Sequence, residues 1–165
     1  MDKIYITEIS REDLPYIHWV ENIEDYWHIN EHPGPYSLEE ITDCFFPARV
    51  YSLHKQQRWV IWNSESKLPI GILDAFNFDE NEQSIGVGIL IPNQKDHNKG
   101  FGKEAIRLLI KKLTFDKQIS IVFALIDKEN AASISLFVKS GFKFQREQMC
   151  LNRIVNRYEK LLKAK

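Results

Sequence analysis

The sequence predicts a mixed α/β fold in which helices pack on a largely antiparallel sheet, and three observations carry that reading. Arg58–Asn63, Leu68–Asn77 and Gln83–Ile91 are strand-like segments separated only by polar turns at Ser64–Lys67 and Asp79–Glu82, an antiparallel meander. From Gly100 to about Phe115 the apolar residues Ala105, Leu108, Leu109 and Leu113 recur at helical spacing. Ile119–Ile126 (ISIVFALI) is almost continuously apolar, as a strand buried on both faces is.

The other elements follow along the chain. Lys3–Ile9 alternates and reads as a first strand. Ser10-Arg-Glu-Asp13 then resembles a capping box opening a helix that runs to about Glu24, with Leu14, Ile17, His18 and Glu21 spaced at three to four residues. Asp25–Tyr36, which ends in Pro33-Gly34-Pro35 and Tyr36, reads as a loop. Ser37-Leu-Glu-Glu40 caps a second short helix. After the buried strand, Asn130 is an N-cap for a helix carrying Ile134, Leu136, Phe137 and Val138, and Gly141 stands where a left-handed glycine ends it. Phe142–Cys150 is a further strand. Ile154–Leu162 fits a strand by alternation and a helix by Ile154, Tyr158, Leu161 and Leu162, so periodicity leaves it open.

Composition bounds the function. A chain of 165 residues with 44% hydrophobic and 27% charged content suits one globular domain spanning 1–165. Lys plus Arg is 22 against Asp plus Glu at 23, a formal net charge of -1, which gives no basic excess for nucleic acid or an anionic membrane. Cys44 and Cys150 match no redox pair or zinc pattern, and His28 and His32 lack a third ligand, so no metal is expected. No apolar run approaches the roughly 20 residues of a membrane span. These features together lead to the expectation of a reduced, cytoplasmic protein.

The segment Ile89–Ile110 (ILIPNQKDHNKGFGKEAIRLLI) carries the chemistry: a strand, a polar loop, then Gly100 and Gly102 at the first turn of a strong helix. A helix N-terminus presents free backbone N–H groups and partial positive charge, and glycine lets a bulky anion approach the main chain. A diphosphate suits that geometry, with Lys95, Lys99 and Lys103 adding positive potential. Neither GxxxxGK[ST] nor GxGxxG is present.

His97-Asn98-Lys99-Gly100-Phe101-Gly102 resembles the Gln/Arg-x-x-Gly-x-Gly/Ala pyrophosphate loop of the GNAT N-acetyltransferases, with His97 departing from the usual Gln or Arg. Asn130-Ala-Ala-Ser133-Ile-Ser-Leu-Phe137-Val-Lys-Ser-Gly141-Phe142 resembles the same family's Asn-x-x-(Ala/Ser)-x-x-x-Tyr-x-x-x-Gly-Phe signature. The resemblance implies a six- to seven-stranded, mostly antiparallel sheet with helices on both faces and a V-shaped splay between the fourth and fifth strands, opened by a bulge for which Gly86-Val87-Gly88 is suited. It implies acetyl-CoA as cofactor, with Leu90 and Ile91 pairing with pantetheine amides. His97, Asn98, Lys99, Gly100, Phe101, Gly102 and Lys103 would surround the diphosphate, Asn130 would face the pantetheine arm and Phe137 would line the same site.

The catalytic pattern has gaps. The family tyrosine that commonly protonates the leaving thiolate aligns with Phe137, and Ile85–Ile91 holds no carboxylate to act as base. Ser133, one helical turn before Phe137, is the candidate hydroxyl. Asp74, the acid inside the apolar run Ile70–Phe76, is the candidate base and resembles a strand glutamate of spermidine acetyltransferases. Glu24, Tyr26, Trp27 and Glu31 are candidate acceptor-binding residues in a segment similar to that of polyamine acetyltransferases and, more distantly, of ribosomal-protein and aminoglycoside enzymes. The expected activity is direct acetyl transfer to a primary amine of a small cation or a peptide N-terminus. The competing reading is a non-catalytic acyl-CoA-binding module. A homodimer accords with the exposed sheet edge and with the family.

Overall fold

Seven extended segments, β1 (Ile4–Glu8), β2 (Gln57–Asn63), β3 (Pro69–Asp79), β4 (Ser84–Leu90), β5 (Ile121–Asp127), β6 (Lys143–Cys150) and β7 (Arg153–Leu161), join into one sheet of spatial order β1-β2-β3-β4-β5-β7-β6. Neighbours run antiparallel except β4 and β5, which are parallel because α3 (Phe101–Leu113) crosses between them. The computed structural model describes residues 3–29, 34–46, 57–115 and 118–162. The segment that periodicity leaves open is β7. Leu151 and Asn152, with φ of 46° and 60°, form the two-residue turn that folds it back on β6.

Apolar alternation assigns each strand a face. Trp59, Leu73, Ala75, Ile85, Val87, Val122, Ala124 and Tyr158 form the main core with Phe101, Ala105, Ile106 and Leu109 of α3 and Phe137 of α4 (Ala131–Lys139). The opposite face carries α1 (Leu14–Glu21) and α2 (Leu38–Phe45), whose Ile17, Ile41 and Phe45 make a second cluster. Helices therefore cover both faces.

Local signals set the ends of the helices on that second face. The Ser10 hydroxyl and N–H both donate to Asp13 Oδ2, at 2.9 and 2.7 Å, and Ser37 and Glu40 form a capping box at the start of α2. The helix α1 stops at Glu21 rather than near Glu24 because Asn22 leaves the helical path. Its side-chain amide donates to His18 O and Tyr36 O, each at 3.0 Å, and its Oδ1 accepts from Tyr36 N–H at 2.7 Å. Glu24–Ile29 is a 3₁₀ helix where the sequence reads as loop. Such a helix needs only i to i+3 bonds, as from Tyr26 N–H to Ile23 O at 3.0 Å.

One ionic contact fastens these helices to the sheet. Arg58 on β2 is 7% exposed, and its Nε and Nη2 donate to the two oxygens of Asp74 on β3 at 2.7 and 2.9 Å. Its Nη1 donates to Glu21 at the end of α1, and the guanidinium lies 4.2 Å from the centre of the Phe45 ring of α2. Burial alone would weaken the hold of Arg58 on its proton, but the Asp74 and Glu21 carboxylates outweigh it and raise its pKa above the usual value. Replacing one member of a buried ion pair strands the other charges. Arg58→Met is therefore expected to lower stability by about 3–5 kcal/mol, read from the urea midpoint. The triple variant with Glu21→Leu and Asp74→Leu should recover much of the loss.

Candidate functional site

The parallel ladder between β4 and β5 is short: Ser84 pairs with Ile121, Ile85 with Val122 and Gly86 with Phe123, and there it ends although both strands continue. Beyond Gly86 the strands part, leaving the rest of β4 without a strand partner on that side. Leu90 and Ile91 lie half-buried at the end of this free edge. The opening does not come from a bulge at Gly86–Gly88, whose register with β3 is continuous; the irregularity lies between Phe76 and Asp79 on β3. Gly86 instead makes room for an aromatic ring, since a Cβ there would lie 2.5 Å from the Phe76 side chain.

The loop after β4 turns sharply into α3. Asn98 and Gly100 have φ of 57° and 83°, and Gly100 is the N-cap. The first helical bond runs from Glu104 N–H to Gly100 O at 3.1 Å, so the N–H groups of Phe101, Gly102 and Lys103 have no acceptor within the helix. A Cβ at Gly100 would meet nothing within 4 Å, which leaves the donors open from outside. This open cradle of main-chain donors fits a diphosphate. The Phe101 ring is turned into the core, and Gly102 packs so closely on α4 that a Cβ would lie 3.1 Å from Leu136. Both therefore face an anion only through their backbone. The exposed His97 lies with its Nε2 2.7 Å from Ile91 O, which ties the loop back to the strand end. Lys99 Nζ sits 3.5 Å from Asp96 Oδ1, and Lys103 is exposed.

On α4, Asn130 Oδ1 accepts from Ser133 N–H at 3.0 Å and caps the helix, leaving the amide nitrogen of the exposed Asn130 free to face a ligand. The half-buried Ser133 hydroxyl makes no hydrogen bond among the described residues. Phe137 is 2% exposed and packs edge-on against Phe142 at 5.0 Å between ring centres. It is a core residue here and presents almost no surface to a cofactor, in contrast to the lining role implied by the sequence.

On the α1–α2 face, strand register sets Arg58, Asp74 and Gly88 in one row across β2, β3 and β4. Gly88 has no side chain, so the row ends open beside the free edge of β4. Asp74 is not the isolated carboxylate that its apolar sequence context implies. Arg58 engages both its oxygens in a bidentate, charge-assisted pair. Glu24 is exposed and Tyr26 half-buried. Trp27 Nε1 donates to Glu21 O at 3.0 Å, and the indole packs under Gly34, where a Cβ would lie 2.7 Å away, so Trp27 holds the connection into α2 in place. Glu31 and His32 lie outside the described residues. Among the described residues no group of three or more His, Cys, Asp or Glu could hold a metal ion.

Three polar groups near the site escape sequence reading. Asp96 is 6% exposed, and among the described residues its Oδ2 has no hydrogen-bond partner, nor has the buried hydroxyl of Tyr16 on α1. Burial, and then the Asp96 charge, push the Tyr16 phenol well above its ordinary pKa. In sequence, Asp96 looks like any acid of a polar loop. Arg157 on β7 is 6% exposed, lies 3.8 Å from the centre of the Phe123 ring and pairs with Glu159 at 2.6 Å. Its place depends on β7 being a strand.

A free strand edge that opens onto a cradle of main-chain donors suits an extended ligand carrying an anionic group. The family model for the acetyltransferase (GNAT) domain matches residues 3–143, and the chain belongs to that family. Its activity is that family's, acetyl transfer. The fold is shared with spermidine N-acetyltransferase from Vibrio cholerae in complex with CoA and spermine, at 18% identity and a TM-score of 0.77 over 96% of this chain and 95% of that one. That enzyme is also described as a dodecamer. The aminoglycoside acetyltransferase AAC(6')-Ib with coenzyme A and kanamycin is 17% identical, with a TM-score of 0.79 over 96% and 94% of the two chains. A domain from Methanocaldococcus jannaschii is 24% identical, with a TM-score of 0.76 over 97% and 99%. No curated protein sequence matches the chain.

The cradle has a direct test. Gly100→Val adds strain at a positive φ, about 1–2 kcal/mol, and shields the donors. CoA affinity by calorimetry should fall at least tenfold while the unliganded protein stays folded. Unchanged affinity would move the diphosphate elsewhere.

Proposed function

We propose that the chain is a single acetyltransferase domain over residues 1–165 that passes the acetyl group directly to a primary amine of a small cation of polyamine or aminoglycoside type. A protein N-terminus is the other acceptor of the same chemistry. The observation that carries this reading is the Glu21–Arg58–Asp74 cluster, in which two carboxylates face one guanidinium. The residual negative charge stands beside Gly88, at the open edge where an amine would meet the thioester. The amine complexes of the spermidine and aminoglycoside enzymes accord with that choice.

In the reaction the amine nitrogen attacks the thioester carbon, the carbon–sulfur bond breaks and the sulfur leaves as thiolate. A main-chain N–H near Leu90 polarises the carbonyl. Asp74 and Glu21 hold the incoming ammonium by charge, and its proton passes to water, since both Asp74 oxygens are engaged by Arg58. The nitrogen's second proton passes through water to the departing thiolate, to which the Ser133 hydroxyl in the first turn of α4 donates a hydrogen bond, a contact that Phe137 cannot make. The free cysteines, Cys44 exposed and Cys150 half-buried, suit a reducing cytoplasm. No helix among the described residues is long and apolar enough to cross a membrane. The edge strand β6, with Phe144 and Met149 exposed, is the face a homodimer would cover.

Release of free CoA thiol from acetyl-CoA, measured over spermidine, kanamycin, amino acids and N-terminal peptides, tests the acceptor class. Turnover is expected on the polycations, and turnover confined to uncharged or acidic amines would overturn the reading. On the active acceptor, Ser133→Ala is expected to lower kcat about tenfold with little change in KM. The double variant Cys44→Ser/Cys150→Ser should keep wild-type kcat, because direct transfer needs no acetylated thiol.

A further inference from the structure

We propose that the cavity between the start of α3 and the end of α4 is a phosphate-monoester site that takes the 3′-phosphate of coenzyme A and makes the enzyme select the phosphorylated cofactor. The inference rests on the acetyl-CoA reading above and concerns the nucleotide end, for which the sequence gives no motif. The cavity has a volume of about 330 Å³ and is lined by Gly100, Lys103, Arg107, Lys139, Ser140 and Lys160, among others.

Its charge is lopsided. Four cationic side chains meet there with one carboxylate, Glu104, which Arg107 already engages at 2.6 and 2.9 Å. That bond, more than any other influence, holds the Glu104 carboxyl below the usual carboxylate range. Lys160 Nζ donates to Ser140 O at 2.6 Å, which anchors its charge at the carboxyl end of α4, where Gly141 turns the chain with φ of 88°. Lys103 and Lys139 form no ion pair among the described residues. Mutually repelling ammonium groups converging on a cavity are complementary to a compact dianion, and a phosphate monoester is one near neutral pH.

Topology supplies the direction. The diphosphate cradle sits at Gly100, and the free edge of β4 receives the pantetheine arm on one side of it. The other end of the molecule must leave the cradle on the other side. Lys103 and Arg107 lie four residues apart on α3 and so share the face that leads from Gly100 into the cavity. The far wall, Lys139 and Ser140, comes from a different helix end and has no part in the diphosphate cradle. The ribose 3′-phosphate is the remaining anionic group of coenzyme A.

Affinities of CoA and of 3′-dephospho-CoA, measured side by side by calorimetry, decide the matter. The wild-type protein is expected to prefer CoA at least tenfold. Lys139→Ala should shrink that preference to about threefold by weakening CoA alone, Lys139→Glu should abolish it, and Lys139→Arg should restore it. Equal affinity for the two ligands in the wild type, or a preference that Lys139→Glu leaves intact, would overturn the proposal while leaving the cofactor reading in place. Binding of neither ligand would sink both.

Discussion

The buried guanidinium of Arg58 is the contact on which the α1–α2 face of the molecule depends. It joins β2 to β3 through Asp74, α1 to the sheet through Glu21, and α2 through the face of Phe45. Those helices have only a small cluster of their own, built on Ile17, Ile41 and Phe45, so an ionic clamp does work that a larger apolar interface would otherwise do. A fully desolvated pair adds little net stability against an apolar substitute, but it fixes geometry, because only one arrangement satisfies all three charges. With Glu21 counted, the same contact leaves one net negative charge beside the Arg58–Asp74–Gly88 row where it meets the opening in the sheet. Fastening of the helices and the charge of this face are thus two aspects of one interaction.

Much of the fold was legible in the sequence because its signals are local. Capping at Ser10 and Ser37, the continuous apolar run of β5, and Asn130 with Gly141 at the ends of α4 each reflect backbone chemistry within a few residues. The family motifs were legible for the same reason: the diphosphate cradle is a loop and a helix end. What could not be read was set across strands. Arg58 and Asp74 are far apart in sequence and meet only through the β2–β3 register, so Asp74 looked like a lone acid. Phe137 matched a motif position, yet its ring packs against Phe142, a contact that motif spacing does not encode. The bulge expected at Gly86–Gly88 failed similarly. Two glycines on one strand signal irregular backbone or a close neighbour equally well, and here Gly86 has the Phe76 ring against it.

The division of labour between the two sheet faces follows from this arrangement. The α3–α4 face carries the main core and, at its rim, the open N-terminus of α3 and the cationic cavity. The α1–α2 face carries the acidic cluster on a smaller core. The two faces thus differ in charge on either side of the split in the sheet.

That split also shapes how the chain assembles. The meander β2–β3–β4 and the hairpin β6–β7 close through short turns and can form early, whereas the ladder uniting the two halves of the sheet is three residue pairs long and must wait for α3 to be wound between its strands. The seam is thus the shortest pairing of the sheet. Docking of α3 and α4 across it, as at Gly102 against Leu136, rather than the ladder itself, keeps the halves in register.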